Sequence, residues 1–254
     1  MSTTFHEFDY NKTAVLNPGD FTKPVDGFPE ICVSTFSEEI INKFAAMDQV
    51  EVVSMLYSAN GALPVYKINY KGKNIAFYLS RVGAPACAAG FEEIIAMGAK
   101  KMVLFGCCGV LDNEAVQDRI IVPTSAVRDE GTSYHYLPEN DEIPADDHTT
   151  NVLVSCLEKY GYPYVTGKIW TTDAIYRETP DKIEDKKNQG CIGVEMEYSA
   201  MLAVSQFRNI PFVQFLFGAD SLDENGWEIG DLLDYGLTGA EKYMAIALEC
   251  GIKL

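Results

Sequence analysis

The sequence predicts a single mixed α/β domain with helices on both faces of its sheet. Short apolar runs alternate along the chain with stretches of helical spacing, the pattern of layered α/β folds. Turns rich in small or polar residues follow several of these runs, at 106–109, 171–173, 193–197 and 218–220. Such carboxyl ends of strands are where open α/β sheets place ligands. The 254 residues show no repeat, low-complexity tract or inter-domain linker. Residues 1–254 are therefore read as one domain, long enough for a sizeable core.

Taken in order, residues 1–12 are polar and read as a loose arm. Ala14–Leu16 reads as a short strand, and Asn17-Pro-Gly-Asp20 as a turn with Lys23 close behind. Free turn N–H groups beside a cation can hold an anion. Ile31–Val33 is a strand. Ser37 caps a helix to about Met47, because Phe36, Ile40 and Phe44 share a face. Val50–Tyr57, Pro64–Tyr70 and Asn74–Ser80 are strands, the last two joined by the hairpin turn Tyr70-Lys-Gly-Lys73. Arg81-Val-Gly-Ala-Pro85 leads into a helix over 86–97, with Glu92 and Glu93 on its polar face and Gly98 as its stop. Lys101–Phe105 is continuously apolar, as expected of a parallel strand buried on both faces. It ends in the turn Gly106-Cys-Cys-Gly109, whose small residues let a ligand approach the backbone.

Arg119–Pro123 is the next strand, and Arg128–Leu137 a loop combining charge, hydroxyls, aromatics and His135. Residues 138–147 form an acidic surface loop. Thr149–Tyr160 is a helix, Val165–Trp170 a strand followed by Thr171-Thr-Asp173, and 180–189 a charged, exposed helix. Ile192 and Val194 end another strand. Glu195 and Glu197 follow, and from Met196 the spacing turns helical, with Met196, Ala200, Ala203 and Phe207 on one face. Acids at this junction suit a helix N-terminus, and a carboxylate emerging there can accept hydrogen bonds from sugar hydroxyls. Pro211–Phe217 is the last buried strand and delivers Gly218-Ala-Asp220 to the same edge. Gly236–Cys250 closes the chain as an amphipathic helix.

The formal net charge of −17 argues against nucleic-acid and anionic-membrane partners. Cysteines stand at 32, 87, 107, 108, 156, 191 and 250, without a Cys-x-x-Cys pair. No zinc site or disulfide framework is expected, and buried reduced thiols in a cytoplasmic protein are. The chain opens without a signal-peptide apolar core, and no run approaches a membrane span.

Gly193-Val-Glu-Met-Glu197, followed by a small-residue helix, resembles the signature of the nucleoside phosphorylase superfamily. That group includes uridine phosphorylase, bacterial-type purine nucleoside phosphorylase and the adenosylhomocysteine/methylthioadenosine nucleosidases. Asn17-Pro-Gly-Asp20 resembles its phosphate loop, Val82-Gly-Ala-Pro85 its Gly-rich turn, and Gly106-Cys-Cys-Gly109 its Gly-(Ser/Thr)-(Thr/Cys)-Gly turn. Arg128–His135 resembles a loop of the uridine enzymes. The matches span about residues 14–220 in the family's order.

The resemblance implies a mixed, twisted, partly barrel-like sheet surrounded by helices, and phosphorolysis of a nucleoside. Phosphate attacks the anomeric carbon and the base departs, so positive charge on the sugar and negative charge on the base need stabilising. By position, Met196 packs on the ribose and Glu197 binds its 2′-hydroxyl, with Glu195 beside them. Gly19 and Cys107 face phosphate, and Cys108 and Gly109 line the base side. Asp220 matches the Asp that donates a proton to purine N7. Tyr176 lies in the base-recognition stretch, and His6 takes the part of a His lent across a subunit interface. Inorganic phosphate is the co-substrate, with no other cofactor and no metal. The expected assembly is a homo-oligomer: a trimer or hexamer, or a dimer.

The departures fall on the phosphate side. Lys23 stands where the phosphorylases carry Arg, and lysine lacks the bidentate fork. Leu104 replaces a second Arg, and Cys107 replaces a hydroxyl. The Arg lent by a neighbouring subunit has no counterpart near Gly61; Arg81, at a turn feeding the same pocket, is a candidate replacement. Thr179 and Asp181 stand nearest the Gln and Arg by which the uridine enzymes read their base. The expectations, in rank order, are a phosphorylase with purine favoured over uridine, a phosphate-independent nucleosidase, and a non-catalytic nucleoside-binding member.

Overall fold

The computed structural model describes residues 8–223, 226–228 and 241–254. The expected strand at Ala14–Leu16 does not form. Asn17 holds both the N–H and the C=O of Ala14 through its side-chain amide, a local alternative to strand pairing. Asn17 then starts the single helical turn α1 (Pro18–Phe21). Next come β1 (Ile31–Thr35), α2 (Glu38–Ala45), β2 (Glu51–Ser58), β3 (Gly61–Tyr70), β4 (Lys73–Leu79), α3 (Ala84–Met97), β5 (Lys101–Val110), the short α4 (Asn113–Val116) and β6 (Ile120–Asp129). The second half holds β7 (Glu142–Pro144), α5 (Asp147–Tyr160), β8 (Tyr164–Thr172), α6 (Pro180–Asn188), β9 (Cys191–Glu195), α7 (Tyr198–Arg208), β10 (Phe212–Asp223), β11 (Gly226–Glu228) and α8 (Glu241–Lys253). The expected start of the closing helix, residues 236–240, lies outside the described residues.

Two predicted turns are strand. β5 continues through Gly106–Gly109, and β10 continues through Gly218–Asp220. The cause is pairing that no local pattern reveals: β10 runs parallel to β5 along both stretches, and β9 pairs antiparallel with Gly109 and Val110. The sheet also closes on itself. β5 joins β9, β9 joins β8, β8 joins β6, β6 joins β10, and β10 returns to β5. From this ring, β1, β4, β3 and β2 extend as an open wing. The result is a mixed, partly barrel-like sheet. One face packs α3 and α7 around Phe91, Ile94, Met201 and Leu202; the other packs α2, α5 and α8 around Ile41, Leu153, Met244 and Leu248.

Local signals set the helix ends. Ser37 Oγ accepts from Ile40 N, and Asp146 caps α5 through Thr149 N at 2.8 Å. The acidic stretch 138–147 was expected to be all loop, but β7 pairs with β6 inside it. Glu92 does not lie on a polar face. It is buried and takes two bonds of 2.7 Å from Arg208 at the end of α7. This fork ties α3 to α7. Arg208→Ala should therefore lower stability by about 2–4 kcal/mol, because it leaves a buried carboxylate unpaired. A denaturant midpoint unchanged from wild type would show that the fork contributes nothing.

All seven cysteines are free, and only Cys107 is not fully buried. Among the described residues, no helix is long and apolar enough to cross a membrane, and no cluster of three or more His, Cys, Asp or Glu is arranged for a metal.

Candidate active site

β9 delivers Glu195 to the rim of the closed ring, and α7 begins three residues later. Glu195, not Glu197, caps that helix. Its Oε2 accepts the N–H groups of Glu197 and Tyr198, each at 2.8 Å. Its Oε1 accepts Thr171 Oγ1 at 2.6 Å. Thr171, next to last in β8, also takes the N–H of Ser199. Burial pushes the Glu195 carboxyl up, while these donors favour its anion. The carboxyl then caps α7, satisfying two of its free N–H groups.

Glu197 is thereby released for another task. It is 5% exposed. Its Oε1 accepts the N–H of Gly83 at 2.6 Å. Gly83 sits at φ 93° as the N-cap of α3, a conformation open to glycine and strained for other residues. The Gly-rich turn after β4 thus serves to present an N–H to Glu197. Burial, and then the charge of Glu195, raises the Glu197 carboxyl. Met196, between the two acids, is half-buried.

Asp220 approaches from the other side of β5. In the strand register Gly109 pairs with Val194 of β9 and with Asp220 of β10, after a bulge between Gly218 and Asp220. A Cβ on Gly109 would stand 2.5 Å from Leu222 Cδ1 and 3.0 Å from Val194 Cγ1, so only glycine lets these strands close together there. Cys107 is half-buried beside the same groups. Its thiol is pushed up to about 11, first by burial, then by the charges of Asp220 and Glu197. Cys108 is buried, with Sγ 3.1 Å from where a Cβ of Gly193 would stand.

The structure therefore brings together Glu195, Met196, Glu197, Cys107, Cys108, Gly109 and Asp220. Of the expected anion-binding residues only Cys107 is among them; Gly19, Lys23 and Arg81 make other contacts. Gly19 and Lys23 are exposed on and just after α1, and Lys23 Nζ donates to Gly19 O at 3.0 Å. Arg81, expected to feed the same pocket, turns its guanidinium to Leu56 O at 3.2 Å and lies near Gly90. The flanking strand β2 offers a free carbonyl there, which the sequence could not show. Tyr176 is 96% exposed. His6 lies outside the described residues. A cavity of about 940 Å³ opens between β10, α4 and α8, with Asp220 and Ser221 on its wall; neither Glu197 nor Cys107 lines it.

Sequence reasoning missed two contributors. The N–H of Gly83 was hidden because backbone donors leave no residue-type signal. Glu178, between the short helical turn Ile175–Arg177 and the N-cap Thr179 of α6, lies in the stretch read for base recognition but is not singled out there.

Comparison with known proteins agrees with this geometry. The profile of the phosphorylase superfamily matches residues 30–248. A guanosine phosphorylase from Halorubrum lacusprofundi is 26% identical over 159 residues, which is 62% of this chain and 65% of that protein; the chain thus spans just under two thirds of this relative. The purine nucleoside phosphorylase of Toxoplasma gondii superposes with a TM-score of 0.73 at 22% identity, covering 91% of this chain and 95% of the other. The AMP nucleosidase of Bacteroides thetaiotaomicron superposes with a TM-score of 0.72 at 20% identity, covering 91% of each. Both structures share the fold of the closed ring and its open wing. With its profile matched across nearly the whole described chain and its acid-Met-acid segment at the ring's rim, the chain belongs to the phosphorylase superfamily.

Proposed function

We propose that this protein cleaves the N-glycosidic bond of purine nucleosides, with phosphate as the acceptor of the sugar. The observation that carries this reading is that a buried Glu197, freed from capping by Glu195, and Asp220 both act by their charges on the Cys107 thiol. Glu197 is suited to a ribose hydroxyl and to the positive charge that grows on the sugar. Asp220 is suited to the base, where a purine accepts a proton at N7 and uracil has no such atom. The relatives named for guanosine and purine nucleosides support the base. No metal or organic cofactor enters this scheme.

One observation favours water over phosphate. The groups whose charges act on Cys107 are acids, Asp220 and Glu197, and Arg81 is committed to Leu56 O. An anion gains less in such surroundings than in the Arg-lined site of the phosphorylases. Base release from inosine, guanosine, adenosine and uridine, with and without phosphate, separates the two. Under phosphorolysis, release requires phosphate. Equal rates without phosphate establish the hydrolytic reading instead.

The protein acts as a homo-oligomer in this scheme. Val15, Leu16, Phe21 and Val82 are large apolar side chains left exposed near α1 and α3, as contacts between copies would use. Light scattering at micromolar concentration should give a mass of several chains; a monomer removes this part of the reading.

A further inference from the structure

Thr171 stands where β8 meets the acid-Met-acid segment. In the ring it pairs with Glu195 of β9 on one side and with Arg128 of β6 on the other, and it is fully buried. Its hydroxyl has one proton to give and lone pairs to accept with. The proton goes to Glu195 Oε1 at 2.6 Å, and the oxygen accepts the N–H of Ser199 at 3.0 Å. Gln214, a buried amide in the otherwise apolar run of β10, reaches the other oxygen of Glu195, with Nε2 at 3.5 Å. Glu195 is thus held from β8 and from β10 as well as from α7.

The Ser199 bond bears on Glu197. That residue is the N-cap of α7, and its C=O already takes the helix bond from Met201 N at 3.0 Å. A side chain in that position ordinarily turns back to accept the N–H of the second or third helical residue. The second is Ser199. Thr171 has taken its N–H, and the Ser199 hydroxyl is itself spent on Glu130 Oε1 at 2.8 Å. Glu195 holds the N–H groups of Glu197 and Tyr198. With these three donors met by neighbours, the Glu197 side chain makes no cap bond and accepts the N–H of Gly83 at 2.6 Å instead.

We infer that Thr171 is a positioning residue of the sugar site: its hydroxyl fixes Glu195 as the cap of α7 and, by taking the Ser199 N–H, keeps Glu197 turned to Gly83 and the sugar. The part played by Glu197 towards the sugar rests on the proposed function; its turn to Gly83 does not. Without the hydroxyl, Glu195 Oε1 loses this donor in a buried place and the Ser199 N–H is left unmet. The second loss is relieved when Glu197 swings back onto the head of α7, away from the sugar.

The test compares Thr171→Val, which keeps the β-branched shape and removes both bonds, with Thr171→Ser, which keeps the hydroxyl. The first readout is exchange of the Gly83 amide proton, followed by NMR and referred to that of Leu153 in α5, so that general loosening cancels. Thr171→Val should speed this exchange by about tenfold or more, and Thr171→Ser should leave it near wild type. The second readout is cleavage of the nucleoside that wild type turns over fastest. Thr171→Val should lower kcat by about 10- to 100-fold, the scale of a displaced group, with KM changed by less than about threefold. Thr171→Ser should restore most of the loss. In a Glu197→Gln background the Val substitution should cost less than about threefold, since Thr171 acts through Glu197. Unchanged Gly83 exchange in Thr171→Val overturns the inference. So does an equal loss of turnover in both backgrounds, which a merely structural role would produce. Should Thr171→Val fail to fold, Thr171→Ala takes its place in both comparisons. Wild type that cleaves no nucleoside fails the proposed function instead, and the exchange readout then decides by itself whether Thr171 sets the direction of Glu197.

Discussion

Glu197→Gln lowers kcat/KM for ribonucleosides by about 30- to 1,000-fold, the equivalent of roughly 2–4 kcal/mol for an electrostatic group acting in the transition state. The substitution is nearly isosteric, and the Gln Oε1 can still accept the N–H of Gly83 that Glu197 takes at 2.6 Å. The fold and the α3 N-terminus should therefore persist. What is lost is the capacity to become an anion beside the sugar. Glu197 is held partly protonated by burial and by Glu195. A sugar cation forming nearby draws it towards the charged form, so its interaction strengthens as the bond breaks. Such a gain, made only in the transition state, appears in kcat more than in KM. Thermal unfolding supplies an independent readout. Folded Glu197 keeps its proton through a range above the ordinary 4.5 where the unfolded chain has released it. The folded state then binds more protons, and stability falls as pH rises through that range, by at most about 1.4 kcal/mol per pH unit for one group. Glu197→Gln removes this decline, so its melting temperature relative to wild type should climb from pH 5 to pH 8. Wild-type turnover in the variant would sink the ribose assignment; a flat difference in melting temperature would show that Glu197 is ionised in the free protein.

The acids at the centre of these arguments were legible because their signal is local. A strand-like run, two carboxylates and an immediate change to helical spacing mark Glu195 and Glu197 at a junction, whatever lies around them. Which of the two caps the helix was not legible, since the choice depends on Thr171 reaching across from β8. The sheet shows the same division. The individual runs at 101–105, 165–170 and 211–217 read correctly as strands, but the length of β5 and β10 follows from their mutual pairing over Phe212–Ser221, and pairing between strands about a hundred residues apart leaves no mark in a local window. Gly106–Gly109 looked like a turn because small residues usually punctuate; here Gly109 sits where side chains of β9 and β10 crowd β5, and Gly106 sits against Phe36. Charge was read least well. Glu92 appeared on a helix surface and is buried against Arg208, and Arg81 appeared to serve an anion and is bound to a carbonyl of β2. Long charged side chains choose their partners in three dimensions, and a chain position constrains that choice only weakly.

Asp220→Asn should depress cleavage of guanosine and inosine by about 100-fold or more, the scale of a positioned general acid, while changing uridine cleavage much less. The expectation follows from placement and from chemistry. β10 bulges just before Asp220, and the register sets the residue opposite Gly109. Its charge reaches Cys107, on which Glu197 also acts. The charges of the group proposed for the sugar and the group proposed for the base thus meet at one thiol. Asn keeps the shape of Asp and can still donate a hydrogen bond, but it cannot give up a proton at neutral pH. A base that needs only orientation would tolerate the change; a base that needs a proton would not. The comparison of substrates thus separates binding from proton transfer. With the purine rate down and cleavage of 7-methylguanosine, whose methylated N7 already carries positive charge, nearly unaffected, Asp220 is a proton donor. With all substrates reduced alike, it is a binding or structural residue.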